Sequence, residues 1–424
     1  MKLICQILII LIPLAGFSQN RFDQYFSPNT FRFDFQLGGN SQNKMLFPEQ
    51  MKREPFWGGS HRNMVSPFNY GNYRYCVYDR ETNKQIYSKG FCPLFHEWQS
   101  TEKAKTEWRT FYNVITFPFP KKEFRLEIES RNRDGQFETI FSNEINPNDY
   151  FILNENLPKM GITRLIKNGS PSKKVDIAIL AEGYTQMEMD EFIQDAIRLV
   201  NNLFEVEPFL SMKDRFNINL IHSLSEESGT DVPGERIFRN TIMDFSFYTF
   251  DEPRYITTNN LKTMYDLAAI VPYDQIYVLI NSNQYGGGGF YNFYNSCTAD
   301  HELSKFVFVH ELGHGFAGLG DEYYTSTVPL LDFYNLKIEP WEPNLTTLIN
   351  FKTKWEHLLE DSIPIPTPRQ REFENKAGVF EGGGYHSKGM YSPMMNCIMK
   401  SSNAPTFCPV CQDAIRKMIL FHSE

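Results

Sequence analysis

Apolar and polar residues alternate along the first half of the chain. Between about residues 31 and 154, short apolar and aromatic runs are separated by turn residues. Phe31, Phe33 and Phe35 occupy every second position of one run, and the segment 124–128 repeats the pattern. A period of two is typical of strands with one buried face. Because no comparable helical period interrupts these runs, the pattern predicts an all-β sandwich built from half-buried strands.

The pattern changes after the polar segment 165–174, which predicts a linker. Three apolar runs follow, VDIAIL at 175–180, FNINLIHSL at 216–224 and YDQIYVLINS at 273–282, and each predicts a strand. The intervening sequence has the period of amphipathic helices. The alternation of strands and helices therefore predicts that the second domain is α/β.

A capping box marks the first of these helices. Thr185 and Glu188 stand three residues apart, directly before apolar residues at helical spacing. The predicted buried face of this helix consists of Phe192, Ala196, Leu199 and Leu203.

The first residues, MKLICQILIILIPLAGFSQN, combine one basic residue, an apolar run and small residues before a polar start. This order is typical of a secretory signal peptide, here with cleavage after Ser18. Cys5 lies too early to be a lipoprotein anchor, and no later segment has the length and apolarity of a membrane span. We therefore expect residues 1–18 to be a signal peptide, 19–165 the β-sandwich and 166–424 the α/β domain, in a protein that is secreted, periplasmic or at the cell surface.

The composition of the chain restricts the classes of molecule that it is expected to bind. The formal net charge is -9 and no long basic run is present, which argues against nucleic-acid binding. Aromatic residues make up 15% of the chain. In a β-sandwich, exposed aromatic platforms also suit glycan contact, so a secreted glycan-binding or adhesion protein is one alternative function.

Without Cys5, six cysteines remain, and disulfides are the default for such a set in an oxidising compartment. Cys76 and Cys92 flank a short segment and are expected to pair first. Cys408-Pro-Val-Cys411 resembles half of a structural zinc site. Because a second CxxC is missing, a disulfide role for this pair is favoured.

The segment FVFVHELGHGFAGLGDEYY, residues 306–324, carries the strongest chemical signal. On a helix, His310 and His314 are one turn apart on the same face, so both imidazoles reach one metal ion. Glu311 is the residue that such sites use as general base. We expect this helix to be capped by Thr298 or Asp300. The glycines at 313 and 315 lower helix stability, which indicates close packing against them.

A third protein ligand is needed to complete the site. Metzincin peptidases place it in the pattern HExxHxxGxxH or HExxHxxGxxD. Here the matching positions hold Ala317 and Gly320, whereas a shift by one residue aligns Gly318 and Asp321. Asp321 is therefore the predicted ligand, with Gly318 turning the chain. The alternatives are Glu322, then His386, and, from a second helix, Glu356, Glu360 or Glu372.

Three further features accompany the metal motif. The sequence Cys397-Ile398-Met399 resembles the metzincin Met-turn, although methionine is more often an ordinary core residue. Tyr385 and Tyr391 are candidate hydrogen-bond donors to a tetrahedral oxyanion. Gly286 to Gly289 suit either a flexible loop or an edge strand that binds substrate in extended form.

Together, these motifs resemble the IgA-peptidase family of secreted zinc metallopeptidases. The resemblance rests on VDIAILAEGYT, FNINLIHSLSEESGTDVP, HELGHGFAGLGDEYY and GMYSPMMNCIMKSSNAPTFCPVC, and the β-rich first half looks like the family's N-terminal domain. It implies a metzincin-like catalytic domain in which His310, His314 and Asp321 bind Zn²⁺. Glu311 and a zinc-activated water would then hydrolyse peptide bonds of protein substrates, immunoglobulin being one candidate. The alternatives are an inactive zincin domain in a binding protein, or an amidase or deacetylase acting on cell wall.

Overall fold

The computed structural model describes residues 22–154, 156–324 and 333–424. The predicted signal peptide, residues 1–18, lies outside them. No helix in the described ranges has the length and apolarity needed to cross a bilayer. The strands are β1 (Phe26–Gly39), β2 (Lys44–Glu54), β3 (Tyr73–Asp79), β4 (Gln85–Phe91), β5 (Arg109–Pro120), β6 (Phe124–Arg131), β7 (Phe137–Ile145), β8 (Ile152–Leu153), β9 (Gly161–Lys167), β10 (Val175–Glu182), β11 (Phe216–His222), β12 (Gln275–Ile280), β13 (Gly287–Phe290), β14 (Tyr294–Thr298), β15 (Phe380–Gly383) and β16 (His386–Ser392). The helices are α1 (Phe22–Tyr25), α2 (Leu94–Gln99), α3 (Met189–Leu203), α4 (Phe209–Met212), α5 (Leu261–Ala268), α6 (Ser304–Ala317) and α7 (Pro409–Ser423).

Two four-stranded sheets form the N-terminal part, in the orders β5-β1-β2-β8 and β4-β3-β6-β7. They pack face to face through aromatic side chains. The ring of Phe31 on β1 meets that of Phe124 on β6 edge-on, with centroids 5.2 Å apart. The hydroxyl of Tyr75 on β3 donates to the carbonyl of Thr116 on β5 at 2.7 Å. The predicted β-rich N-terminal domain is therefore confirmed.

Strand β1 corrects the expectation of half-buried strands. Phe31, Phe33 and Phe35 are buried as expected, but Arg32 and Asp34 between them are also fully buried. The alternation of apolar and polar residues correctly indicates that β1 has one polar face. That face is covered by helix α5 and is not exposed to water. The Arg32 guanidinium lies 2.6 Å from carboxylate oxygens of both Asp34 and Asp266. Such pairing makes burial of these charges tolerable. Strand β6, by contrast, alternates between buried and half-buried residues as predicted.

A six-stranded mixed sheet forms the second part, in the order β13-β14-β12-β10-β11-β9. Strands β10, β11, β12 and β14 are parallel, and β9 and β13 run antiparallel at the two edges. The three predicted strands correspond to β10, β11 and β12. The domain boundary expected between residues 165 and 166 falls inside β9, which pairs with β11.

Both faces of this sheet are buried. On one face, Ile177 and Ile179 share a core with α3, α6 and α7. On the other, Ala178 and Leu180 share a core with α5 and the N-terminal sheets. Helix α3 follows the predicted capping box of Thr185 and Glu188, whose backbone and side-chain bonds are both present. Its four predicted core residues are fully buried.

The strand register excludes the expected pairing of Cys76 with Cys92. Cys76 lies opposite Ser88. Cys92 follows the end of β4, and its Sγ accepts a hydrogen bond from the backbone N–H of Asn72 at 3.4 Å. Because a strand rises about 3.3 Å per residue, the four-residue offset between positions 72 and 76 exceeds the reach of a disulfide. That prediction is wrong.

Candidate metal centre

Helix α6 presents the metal motif. It begins at Ser304 without a side-chain cap, so the expectation of a cap from Thr298 or Asp300 is wrong. Thr298 instead ends β14, and the ring of His301 accepts the backbone N–H of Leu303. The helix ends at Ala317 and is followed by Gly318, whose φ of +64° is the left-handed conformation in which glycine is favoured. This turn was predicted, and it directs the following residues back towards the helix.

Three side-chain atoms converge beside α6. The Nε2 atoms of His310 and His314 are 3.1 Å apart, and each lies 3.3 Å from Oδ1 of Asp321. Asp321 is buried, and among the described residues its Oδ1 has no hydrogen-bond partner. A tetrahedral metal ion with ligands at 2.0–2.1 Å would hold its ligand atoms about 3.3 Å apart. The three residues therefore fit a metal ion with one position left open.

Contacts with backbone carbonyls orient the two imidazoles. Nδ1 of His310 lies 3.0 Å from the carbonyl oxygen of Ile398, and Nδ1 of His314 lies 2.6 Å from that of Leu319. With each Nδ1–H donating to its carbonyl, the Nε2 lone pairs point towards Asp321. This is the arrangement by which proteins orient histidine ligands and set their tautomer.

Two tyrosines hold the Asp321 carboxylate. The hydroxyls of Tyr323 and Tyr385 both donate to its Oδ2, which leaves Oδ1 for the histidines. Tyr385 has a φ of +63°, a conformation that non-glycine residues rarely adopt. Backbone bonds from Gly384 N–H to Asp321 O and from Tyr385 N–H to Tyr323 O hold it there. Such strain persists where surrounding contacts enforce it, and it is frequent at functional sites.

The charges of the cluster are coupled. Burial disfavours ionisation of Asp321, but the adjacent imidazoles hold its pKa well below the usual range. In return, Asp321 raises the pKa of His314 to about 9 against the opposing effect of burial. Burial raises the pKa of Glu311, while His310 and His314 oppose that shift. Since metal ligands must be deprotonated, binding of an ion at this cluster would release protons.

The glycines of α6 allow close packing, as expected. A Cβ at Gly313 would lie 2.8 Å from Sδ of Met399, and a Cβ at Gly315 would lie 1.8 Å from Oδ1 of Asn295. Met399 is fully buried against the helix. Because the neighbouring Ile398 carbonyl also meets His310, the Cys397–Met399 segment supports α6 on the side of the histidines.

Three of the four glycines before α6 lie in an ordered strand. Gly287–Phe290 is β13, at the edge of the sheet, so the flexible-loop interpretation is wrong. A Cβ at Gly289 would lie 2.3 Å from the backbone carbonyl oxygen of Glu311. The strand and the metal helix are thus in direct contact. Tyr255 forms a bridge with Gly287 and covers one position of the outer edge.

The histidines, Glu311, Asp321 and Tyr385 line one cavity of about 450 Å³. Tyr391 lies outside it and exchanges backbone hydrogen bonds with Thr346. The alternative ligands lie elsewhere. Glu322 points towards Cys411, Nδ1 of His386 meets the carbonyl of Gly384, and Glu356, Glu360 and Glu372 are exposed.

The N-terminal domain also reaches this cavity, a contact that no pattern in the sequence predicts. His96 and Glu97 of α2 line it, together with Arg254 of the second domain. Burial raises the pKa of Glu97 to about 7, although a hydrogen bond from the Tyr255 hydroxyl opposes the shift. Burial lowers the pKa of His96 to about 4. No local motif marks these residues, because only the packing of the two domains brings them to the metal cluster.

A match to a peptidase family model, found for a chain that carries this group of potential metal ligands, places the chain among the metallopeptidases, a class of hydrolase. The chain belongs to the IgA Peptidase M64 family, whose sequence model matches residues 163–377 and 369–419. A second model, Peptidase M64 N-terminus, matches residues 21–142. The resemblance seen in the motifs is thereby confirmed. No curated protein matches the chain.

Proposed function

We propose that this protein is a secreted zinc-dependent endopeptidase that hydrolyses peptide bonds of protein substrates. The convergence of His310 Nε2, His314 Nε2 and Asp321 Oδ1 carries the proposal. Two imidazoles and one carboxylate with an open fourth position are the ligand set of catalytic zinc sites. Zinc bound there would supply a Lewis acid for the scissile carbonyl and would lower the pKa of water.

Glu311 is the proposed general base. It stands on α6 between the two histidines, lines the cavity, and is half-buried. Burial raises its pKa, which brings a carboxyl group closer to the range useful for proton transfer near neutral pH. Its side chain lies over β13, where a Cβ at Gly287 would come within 3.2 Å of its Cγ. We infer that Glu311 accepts the proton of the attacking water and passes it to the leaving amine.

The edge strand is the proposed substrate platform. Gly288 and Gly289 line the cavity next to Glu311, and neither carries a side chain that would keep a peptide away. An extended peptide passing these residues would present its carbonyls to the metal cluster. The antiparallel edge strand, the α6 helix and the Met399 segment together favour a metzincin-like architecture.

Tyr385 is the better placed of the two candidate oxyanion donors. Tyr385 lines the cavity, where its hydroxyl donates to Asp321 Oδ2, whereas Tyr391 is outside. We propose that, when substrate is bound, the single Tyr385 O–H turns from Asp321 to the developing oxyanion, while Tyr323 keeps its hydrogen bond to Oδ2.

Peptide hydrolysis by the wild type and by Glu311→Gln tests this function. The variant keeps the shape and the metal ligands but lacks the proton acceptor, so zinc content should stay unchanged while turnover falls about 10²- to 10⁴-fold. Glu356→Gln, a change at an exposed carboxylate, is the matched control and should behave as wild type. Wild-type turnover in Glu311→Gln would refute the assigned base. Cleavage of muropeptides but of no protein or peptide would indicate an amidase.

A further inference from the structure

A second group of potential metal ligands lies beside the first but faces another way. Glu322, Cys397, Cys408 and Cys411 are all buried, and one ligand atom from each lies within 4.8 Å of every other. They come from three places in the chain: the residue after Asp321, the segment that contains Met399, and the start of α7. None of them lines the cavity at the histidines.

The spacing of the sulfur atoms suits a metal ion better than a disulfide. Sγ of Cys397 lies 3.8 Å from Sγ of Cys411. Bonded sulfurs are about 2.05 Å apart. In tetrahedral coordination, zinc–thiolate bonds of about 2.3 Å separate two sulfurs by about 3.8 Å.

The Glu322 carboxylate fits the same tetrahedral arrangement of ligand atoms. Oε1 of Glu322 lies 3.1 Å from Sγ of Cys411 and 4.0 Å from Sγ of Cys408. These distances bracket the value of about 3.5 Å expected between a sulfur and an oxygen on one tetrahedral zinc. Three thiolates and one carboxylate would give four ligands, which is the closed coordination of structural zinc sites.

Within the described part of the chain, the Lys400 ammonium acts on Glu322 through its charge, but no cation forms an ion pair with the four side chains of this cluster. Glu322 is fully buried, and among the described residues its Oε2 has no hydrogen-bond partner. The ammonium group of nearby Lys400 instead donates to Ser392 Oγ and to the Met394 carbonyl. Backbone N–H groups point at the sulfurs, from Cys408 to Cys397 at 3.2 Å and from Cys411 to Cys408 at 3.5 Å. Such donors stabilise thiolates, and buried negative charge requires a positive partner.

We propose that Glu322, Cys397, Cys408 and Cys411 bind a structural Zn²⁺ that is separate from the proposed catalytic one. This replaces the disulfide role expected for Cys408 and Cys411. The ion would link the start of α7 to two segments that flank the histidine cluster, through Glu322 and Cys397. Glu322 directly follows Asp321, and its backbone N–H donates to the Met399 carbonyl at 2.8 Å. The second site would therefore hold Asp321 and the Met399 segment in place.

Zinc content by plasma mass spectrometry tests the proposal on the full chain, purified after export so that disulfides are free to form. Wild type should carry two zinc ions per chain. Cys411→Ser should lose one, His314→Ala should lose the other, and the double variant should lose both. Cys92→Ser, at a half-buried cysteine outside the cluster, should keep two. Loss caused only by His314→Ala would overturn the second site and leave the proposed function intact.

A second measurement needs no variant and so does not depend on folding of the cysteine mutants. Alkylation of wild type in denaturant and chelator, without reductant, followed by peptide mapping, should label Cys397, Cys408 and Cys411 as free thiols. Cobalt-substituted protein should also show thiolate-to-metal charge-transfer absorption, which imidazole and carboxylate ligands do not produce. A disulfide among these three cysteines, or cobalt-loaded protein without this absorption, would overturn the proposal.

Discussion

Two adjacent glycines of β13 give a sharp test of how the edge strand positions the metal helix. A Cβ at Gly289 would lie 2.3 Å from the carbonyl oxygen of Glu311 and 3.0 Å from Cβ of His314. A Cβ at Gly288 would meet no atom closer than 3.5 Å. Neither residue has a positive φ. We therefore expect Gly289→Ala to displace α6 and lower stability, and Gly288→Ala to leave the folded structure unstrained.

The magnitude follows from the size of the overlap. Ordinary contacts begin near 3.4 Å, so Gly289→Ala requires a relative movement of about 1 Å between β13 and α6. The obstructing atom is the backbone carbonyl oxygen of Glu311, which cannot move away by a change of side-chain rotamer. Overpacking of this kind typically costs about 1–3 kcal/mol of stability. A 1 Å misplacement of catalytic groups lowers turnover by about 10²-fold.

Urea unfolding and peptide hydrolysis, measured on both variants, separate the two effects. Gly289→Ala should unfold at lower urea and, under conditions where it is fully folded, should hydrolyse peptides more slowly. Gly288→Ala should equal or slightly exceed wild-type stability, because alanine restricts the unfolded chain. If the two variants match each other in stability, the proposed contact between strand and helix does not position the site.

Two further predictions concern the carboxyl group of Asp176 and the hydroxyl group of Tyr385. Burial, reinforced by Asp274, raises the pKa of Asp176 to about 8, so the folded state keeps a proton that the unfolded chain releases near pH 4. The contribution of this proton to the free energy of unfolding is complete below pH 4 and is lost as pH rises to 8, at up to about 1.4 kcal/mol per pH unit. Asp176→Asn should therefore reduce the change of unfolding free energy with pH, measured by urea titrations from pH 5 to 8. An unchanged pH dependence would contradict the assignment. Tyr385→Phe removes one of two donors to Asp321 and should weaken zinc binding about 10- to 100-fold, measured by competition with a chelator. An effect on turnover alone, with zinc affinity unchanged, would restrict Tyr385 to contact with substrate.

Features encoded in local sequence were predicted well. The strands β10, β11 and β12 follow from apolar runs, and the capping box at Thr185 marks its helix. Gly318 was expected to turn the chain after the metal helix, and the structure has a left-handed turn there. The placement of Asp321 beside both histidines follows from the same turn. Each of these features depends on residues within a few positions of one another.

Features that depend on distant parts of the chain were not predicted. The polar face of β1 was expected to face solvent. The packing of α5, which brings Asp266 to Arg32, buries it and is not visible in the local sequence. Glu97 enters the cavity from a domain that carries no catalytic motif. Glu322 turns away from the histidines because Cys397, Cys408 and Cys411, which lie at least 75 positions later, converge on it. Spacing in the sequence carries no information about such convergence.

We propose that His310, His314 and Asp321 share one zinc ion. Zinc content, measured by plasma mass spectrometry on metal-replete wild type and Asp321→Ala, is the decisive measurement. The variant should contain one zinc per chain fewer than wild type, because it loses the carboxylate that lies 3.3 Å from both imidazoles. Glu356→Ala, at an exposed carboxylate, should lose none. Equal zinc in wild type and Asp321→Ala, after dialysis against a weak chelator, would contradict the assignment of Asp321 as a ligand.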